Sequence, residues 1–323
     1  MEIFYKEEAD RWMPGDRHVR PLVRKLLGRK PHHTSGMQTV VNNFRLGLER
    51  KNIPYTYNSP TFFVGKSKKV ISFGLGQKGV SGLGKSNPII AAIGFPYPGD
   101  LPNLCRDYNI VKFLQHSDWA LNFVKSAGIY NDKLFDIWPA GIDIDDWMPS
   151  PNSTPKNTDV LIYNKAYWDT EVTDRELVEP IRQYLRAHNY TFTEVTYGKY
   201  SKAEYKRKLE QSKIMIFLSA HESQGIAYQE CLATGVPVMA WDQGFWLDPY
   251  RFQIDKPVVP ATSVPYFDDR CGVKFLGINQ FKTMFDEFFE DAGLGKYKPR
   301  EYIVENLSIE VSTDRMLAIY NSI

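Results

Sequence analysis

Short apolar runs alternate with amphipathic stretches along most of the chain, the pattern of βα units built around a parallel sheet. The apolar runs predict strands over 69–73, 88–93, 110–114, 134–137, 160–163, 192–196, 214–218 and 236–240. Helical periodicity predicts helices between them, over 37–50, 118–127, 175–188, 202–211 and 224–234. The stretch 149–158 is rich in Pro, Ser and Asn and separates two such series. A domain boundary is expected there, with one Rossmann-like domain over 1–148 and a second starting at 149.

At 323 residues the chain has room for two domains, each with its own core. With 43% hydrophobic and 24% charged residues, it is a folded globular protein and neither a disordered nor a fibrous one. Forty basic against 38 acidic side chains leave a net charge of +2, which excludes binding nucleic acid by bulk charge. Any anionic partner must meet a local patch. Cys105, Cys231 and Cys271 are odd in number and widely spread, so a reducing compartment is expected, with the thiols as small buried hydrophobes. The amino terminus carries acid where a secretory signal carries base, and no apolar run approaches the ~20 residues of a membrane span. A cytoplasmic protein is expected.

One local patch stands out. Residues 16–30 carry six Arg and Lys among Val19, Leu22, Val23, Leu26 and Leu27. Such a segment packs as a solvated helix face, or lies peripherally on an anionic membrane surface, or holds an anionic acceptor.

The loop after 69–73 contains two overlapping glycine patterns. Gly74-Leu-Gly-Gln-Lys-Gly79 has the form of a dinucleotide-binding turn, and Gly79-Val-Ser-Gly-Leu-Gly-Lys-Ser86 that of a P-loop. Both motifs work by aiming the N–H groups of an immediately following helix at phosphate. Here Asn87-Pro88 and a short apolar run follow. A strand is expected, and with it a glycine-rich surface loop instead of a P-loop with Lys85 as its cation.

Residues 212–244 are punctuated as strand, helix, strand. Ser223 stands where a helix N-cap is expected, Gly235 suits the left-handed residue after the last turn, and Pro237 prevents continuation. The loop after Leu218 then lies at the carboxyl end of a parallel sheet, where open α/β sheets bind ligands. His221, Glu222 and the free N–H groups after Ser223 sit there. Glu230 falls on the inward face of the helix and needs a partner. Two readings stand: an ion pair with a Lys or Arg, or an acceptor for ligand hydroxyls such as a ribose diol.

Glu222 and Glu230, separated by seven residues with Gly225 between them and followed by Ala233-Thr-Gly-Val-Pro-Val238 and Gly244, resemble the signature of the retaining glycosyltransferases of family 4. Further segments resemble the family in the same order. They are the stretch from His33 to Leu48 with Ser35 and Gly36 in its glycine loop, His116-Ser-Asp-Trp119 with Ala127-Gly128, and Ile137-Trp-Pro-Ala-Gly-Ile-Asp143. The resemblance runs from about residue 33 to 244.

It implies an α/β fold of the GT-B type, two Rossmann-like domains with parallel sheets facing across a cleft. The first (1–148) takes the acceptor, the second (149–305) the nucleotide-sugar, and a final helix within 306–323 crosses back. By the same match Glu230 binds the donor ribose and Glu222 contacts the transferred sugar. The N–H groups around Ser223, Gln224, Gly225 and Ile226 meet sugar and phosphate, Lys165 contacts the diphosphate, and Ser35 and Gly36 form an acceptor or phosphate loop. The chain departs from the family in two places. Nothing in Asn164-Lys-Ala-Tyr-Trp-Asp-Thr-Glu171 matches the second cation of the diphosphate clamp, and no His follows Ala92-Ile-Gly94. His116 takes a place among the candidate catalytic residues, or is a structural histidine; His32 and His33 stay open between ligand contact and solvation.

The expected activity is transfer of a sugar, with retention, from a nucleoside-diphosphate-sugar to an acceptor hydroxyl of a glycan, lipid-linked or small molecule. The alternative is a GT-B protein that binds nucleotide or saccharide without turnover. No His, Cys, Asp and Glu cluster has metal-site spacing, so no metal and no cofactor are expected beyond the donor.

Overall fold

The computed structural model describes residues 1–5, 19, 23, 26, 36–94, 100–126, 131–149, 156–253 and 258–323. His32, His33, Ser35, Phe95, Ala127, Gly128, residues 150–155 of the expected linker and most of segment 16–30 lie outside them. The chain divides into two units, Met1–Gly141 with Ser312–Ile323, and Ile142–Val311.

In unit 1 six parallel strands run β2-β1-β3-β4-β5-β6. They are β1 Glu2–Tyr5, β2 Thr56–Tyr57, β3 Val70–Leu75, β4 Ile89–Gly94, β5 Ile110–Gln115 and β6 Phe135–Ile137. The last four occupy the predicted runs. The first two were not predicted: β1 is four residues long and opens on a glutamate, yet it lies between β2 and β3. Glu2 is only 2% exposed, and its carboxylate accepts from Thr56 Oγ1 and from Lys68 Nζ at 3.1 Å.

Helices α1 (Gly36–Arg50), α2 (Leu101–Asp107) and α3 (Asp118–Lys125) cover this sheet's connections. The face of α1 built from Val40, Val41, Phe44, Gly47 and Leu48 is buried, the spacing of an amphipathic helix. Its Phe44 ring packs against Phe73 and Trp138.

The double glycine motif resolves as a staple and not as a phosphate site. A 3-10 turn, Gly76–Gly79, is followed by turns and then by β4. Ser72 Oγ donates to Gly79 O at 2.6 Å, and Asn87 Nδ2 to the carbonyls of Gly65 and Lys68. Lys85 is exposed on a turn with no helix behind it.

Unit 2 holds a five-stranded parallel sheet, β11-β10-β9-β7-β8. The strands are β7 Thr158–Lys165, β8 Phe192–Thr196, β9 Ser212–Ser219, β10 Val238–Trp241 and β11 Gly272–Phe275. Residues Ile214 to Leu218 of the central strand are completely buried. Alternate residues feed two separate cores: Met215 and Phe217 join Leu161, Tyr163, Tyr228 and Leu232, whereas Ile214, Ile216 and Leu218 join Val160, Ile162, Phe281 and Phe285. A parallel sheet covered on both faces needs such a continuous apolar run.

The helices of this unit begin with α4 (Thr170–Thr173), which passes through a π turn, Asp174–Val178, into α5 (Glu179–Ala187). They continue with α6 (Lys202–Gln211), α7 (Ile226–Ala233), α8 (Tyr250–Gln253), α9 (Ile278–Gly293) and α10 (Pro299–Leu307). Arg300 of α10 donates to the carbonyls of Ile144, Trp147 and Ala233, at 3.1, 2.9 and 2.7 Å. It thereby satisfies a carbonyl at the end of α7 that has no partner within its own helix.

The final helix α11, Ile309–Asn321, starts in unit 2 and ends in unit 1. Within unit 1 it is held by Trp138 Nε1 donating to Ser312 O at 2.9 Å and Ser312 Oγ donating to Pro139 O at 2.7 Å. Among the described residues no helix is long and apolar enough to cross a membrane. Cys231 and Cys271 are buried as expected, but Cys105, on α2, is exposed.

Candidate active site

Sheet register brings the first two candidate residues together. Lys165, the last residue of β7, is paired in register with Ser219, the last of β9. From Ser219 the chain turns through Ala220 and His221 to Glu222. Glu222 Oε1 accepts from Ser219 Oγ at 2.9 Å, and the Glu222 N–H donates to Thr262 O at 2.9 Å. These two bonds hold the carboxylate in place over the end of the sheet. There it meets Lys165 Nζ at 2.7 Å, and the ammonium also lies 4.4 Å from the centre of the Tyr197 ring. The two charged side chains are 23% and 11% exposed, so solvent screens this pair less than it would a surface salt bridge. His221 is largely buried beside it. Burial, with the nearby Lys165 charge, pushes its pKa down to about 4, which leaves a neutral imidazole at physiological pH.

The helix behind this loop starts differently from expectation. Ser223 does not cap it: α7 opens at Ile226, and the residue before it, Gly225, supplies no side-chain cap. The chain enters the helix through a left-handed turn at Gly225, φ +80° and ψ +44°, which moves Ser223 out of the capping position. Only glycine fits there, because a Cβ would stand 2.1 Å from the Tyr228 ring at a backbone position that glycine alone adopts freely. Gln224 and Gln229 brace the turn, Gln224 Nε2 donating to Gln229 Oε1 at 2.7 Å and Gln229 Nε2 to Gln224 O at 2.6 Å. Gly235, at φ +80°, ends the helix in the left-handed conformation expected of it. The leading N–H groups of α7 have no intrahelical acceptor, so this end of the helix carries partial positive charge.

One turn and more into α7, Glu230 accepts a hydrogen bond from Trp147. Burial pushes its pKa up to about 8, against the pull of Lys202 and with the help of Asp146. Among the described residues no Lys or Arg forms an ion pair with Glu230, because Lys202 bonds Asp146 at 2.7 Å and lies 5.3 Å from the Trp147 ring centre. Of the two readings of this acid, the direct ion pair is therefore absent among them.

The remaining candidates belong to unit 1. His116, at the end of β5, is buried, with Nδ1 3.0 Å from Trp138 O and its ring against the Trp138 indole. Burial lowers its pKa. Gly36 is the exposed first residue of α1. Lys165, Ser223, Gln224, Gly225, Ile226, Glu222 and Glu230 thus share one end of one sheet, whereas His116 and Gly36 lie in the other unit.

Comparison with solved structures identifies the architecture. AviGT4, a glycosyltransferase involved in avilamycin A biosynthesis, superposes with a TM-score of 0.56 at 14% identity, over 99% of this chain and 97% of its own. HepE of Anabaena, solved in complex with UDP and glucose, gives 0.57 at 11% identity over 100% of both chains. The lipopolysaccharide outer core galactosyltransferase WaaB gives 0.56 at 13% identity, again over 100% of both. The chain has the GT-B fold. No protein-family model and no curated protein sequence matches it. Within this GT-B fold, two parallel Rossmann-like sheets, the Lys165 and Glu222 pair stands at the carboxyl ends of adjoining strands.

Several side chains of this site were absent from the sequence reading: Tyr197 over Lys165, Trp147 on Glu230, and Lys202 and Asp146 beside it. The only available signal was position, since Tyr197 directly follows β8 and Lys202 opens α6 at the same end of the sheet. Among the described residues no group of three or more His, Cys, Asp and Glu is placed to hold a metal ion.

Proposed function

We propose that this protein is a glycosyltransferase that moves a sugar from a nucleoside-diphosphate-sugar to an acceptor hydroxyl, with retention at the anomeric carbon and without a metal. The observation that carries the reading is the partly buried Lys165 and Glu222 pair, set at the carboxyl ends of β7 and β9 beside the amino terminus of α7. The resemblance to retaining glycosyltransferases of family 4 supplies the retention, and the UDP and glucose held by HepE support the donor class.

In this reading Lys165 turns from Glu222 to the diphosphate, and the leading N–H groups of α7, with those around Ser223, Gln224, Gly225 and Ile226, offset the charge that builds on the leaving phosphate. Glu222 accepts from hydroxyls of the transferred sugar and orients it. Glu230 accepts from the ribose. The bond from the anomeric carbon to phosphate breaks, the bond to the acceptor oxygen forms, and the acceptor proton leaves on the departing phosphate. In unit 1, Ser35 and Gly36 serve the acceptor or phosphate, and His116 acts from the end of β5. Residues 16–30 are proposed to meet an anionic membrane surface; of them Val19, Val23 and Leu26 are helical and 54%, 45% and 86% exposed.

A second reading, binding without turnover, is favoured by one feature: the segment from Asn164 to Glu171 offers Lys165 as its one cation. A thermal-shift series with UDP, GDP, ADP and CMP and their sugar conjugates, with and without EDTA, tests both. Stabilisation by one diphosphate that survives EDTA and disappears in Glu230→Ala is the expected result. Release of free diphosphate from the matching sugar conjugate then separates transfer from binding alone. Stabilisation only by magnesium-ATP, lost in Lys85→Ala, would overturn the donor site.

A further inference from the structure

Trp147 spends its one polar side-chain atom on the candidate site. The residue is 2% exposed, and its indole N–H is the donor to Glu230. An indole has a single donor and no acceptor, so the direction of that N–H is set by what holds the ring and its backbone. The backbone is held twice: Trp147 N–H donates to Asp143 O at 2.9 Å, and Arg300 of α10 donates to Trp147 O at 2.9 Å. The neighbouring Asp146 is bound by two lysines of α6, Lys202 at 2.7 Å and Lys206 at 3.1 Å. The same two ammonium groups lie 5.3 and 5.7 Å from the centre of the indole, and the Tyr205 ring packs on it at 5.8 Å. Cations near the ring and an aromatic neighbour fix its orientation. Tyr205 also donates its hydroxyl to Ala227 O at 2.7 Å, on α7 three residues before Glu230. The N–H and the carboxyl that accepts from it are thus both braced by α6.

This bond does two things to Glu230. An ionised carboxylate only accepts, and its two oxygens have room for several donors. The indole N–H takes one of those places and fixes the rotation of the carboxyl group. Glu230 is part-buried and keeps some contact with solvent, so the remaining places are open to donors from outside the chain. The N–H also favours the charged form of Glu230 against the effect of burial, and a charged acceptor makes the stronger bonds to hydroxyls. Two hydroxyls on adjacent ring carbons offer a matched pair of donors to such a carboxylate. A nucleotide that lacks them offers none.

We propose that Trp147 is a positioning residue that sets selectivity for nucleotides carrying a ribose diol, by aiming the Glu230 carboxylate at the 2′- and 3′-hydroxyls. The proposal rests on the donor role given to Glu230 above. Calorimetry on the intact chain tests it, comparing UDP, GDP and ADP with their 2′,3′-dideoxy counterparts. At least one diphosphate is expected to bind the native protein about tenfold or more tighter than its dideoxy counterpart, the size of a hydrogen bond to a charged acceptor. Trp147→Phe keeps an aromatic ring and removes the N–H. It should bind the dideoxy compound as the native protein does, with the preference reduced to about threefold or less. A Trp147→Phe protein that keeps the native preference overturns the proposal, and so does one that weakens both ligands alike, since that is the mark of a structural role only. Where Trp147→Phe fails to fold, native protein labelled with 15N-tryptophan decides. One indole N–H signal should move in Glu230→Gln and move again with the ribonucleotide but not with its dideoxy counterpart; the absence of such a signal overturns the proposal. Native protein that binds none of the three diphosphates, or binds them no tighter than the dideoxy compounds, overturns the role of Glu230 itself, so the two readings fail on different results.

Discussion

Lys165 cannot serve two anions equally. Its ammonium is shared between Glu222 and the Tyr197 face, and a diphosphate must compete with that carboxylate. Substitutions on the two sides should therefore act in opposite directions. Lys165→Met removes a charged contact worth about 1.5–3 kcal/mol, so UDP affinity should fall about tenfold to a hundredfold by calorimetry. Glu222→Gln frees the ammonium, so UDP should bind as tightly as before or tighter while turnover drops. Full turnover in Glu222→Gln would remove Glu222 from the site.

Glu230 makes a second prediction at this scale. Its folded pKa, about 8, stands above its ordinary value of 4.5, so the folded protein holds a proton that the unfolded chain releases. The stability linked to that proton is complete below pH 4.5 and is lost as pH rises through about 8. His221 has the opposite sign: its pKa is lowered from 6.5 to about 4, so its contribution is present above pH 6.5 and lost as pH falls towards 4. Between pH 6.5 and 8 the decline therefore belongs to Glu230 rather than His221. Urea midpoints should fall across that interval in the native protein, and Glu230→Gln should flatten the curve. Both acids were legible in the sequence because their spacing is local. Tyr197, Trp147 and Lys202 were not, because they lie in loops and at a helix start far from both acids along the chain, and only the fold brings them there.

At the scale of elements, α7 depends on how its first turn is entered. Gly225→Ala places a methyl 2.1 Å from the Tyr228 ring at a left-handed backbone position. The backbone alone costs about 1–2 kcal/mol, and moving the ring disturbs a hydroxyl that accepts from Tyr266 N–H and Gln229 Nε2. A lower urea midpoint and weaker UDP binding should appear together, since in the proposed function the same turn aims the helix at the donor. A Gly225→Ala protein that melts and binds UDP like the native one would contradict this account. The sequence revealed this helix and its final glycine but misplaced the cap, because Ser223 is a good capping residue by type and only the three-dimensional turn at Gly225 displaces it. Strand β1 was missed for a comparable reason: Glu2 reads as solvent-exposed until Thr56 and Lys68 are brought to it from distant positions. Helix α9 buries Phe281, Phe285 and Phe288, a helical spacing that was present in the sequence, but it lies beyond the stretch where the strand and helix alternation was clear.

For the whole molecule, the division of labour can be tested without cutting the chain. The candidate donor residues all belong to the unit Ile142–Val311, whereas His116 and Gly36 belong to the other. The two units have separate sheets, so a ligand held by one of them should protect that unit's amides first. Hydrogen exchange on the intact chain with saturating UDP should slow at the end of β7 and along the chain from Ser219 to Glu230. Ligand present at about a hundred times its Kd supplies about 2.7 kcal/mol, enough to slow exchange by about a hundredfold at amides that open only with the binding-competent structure. Lys165→Met should erase the protection at both places, because in the proposed function the ammonium at the end of β7 and the helix end after β9 act on one diphosphate. Protection that begins instead at β5 and α1, or that survives Lys165→Met unchanged, would move the nucleotide to unit 1 and leave the Lys165 and Glu222 pair as a structural bridge between two strands.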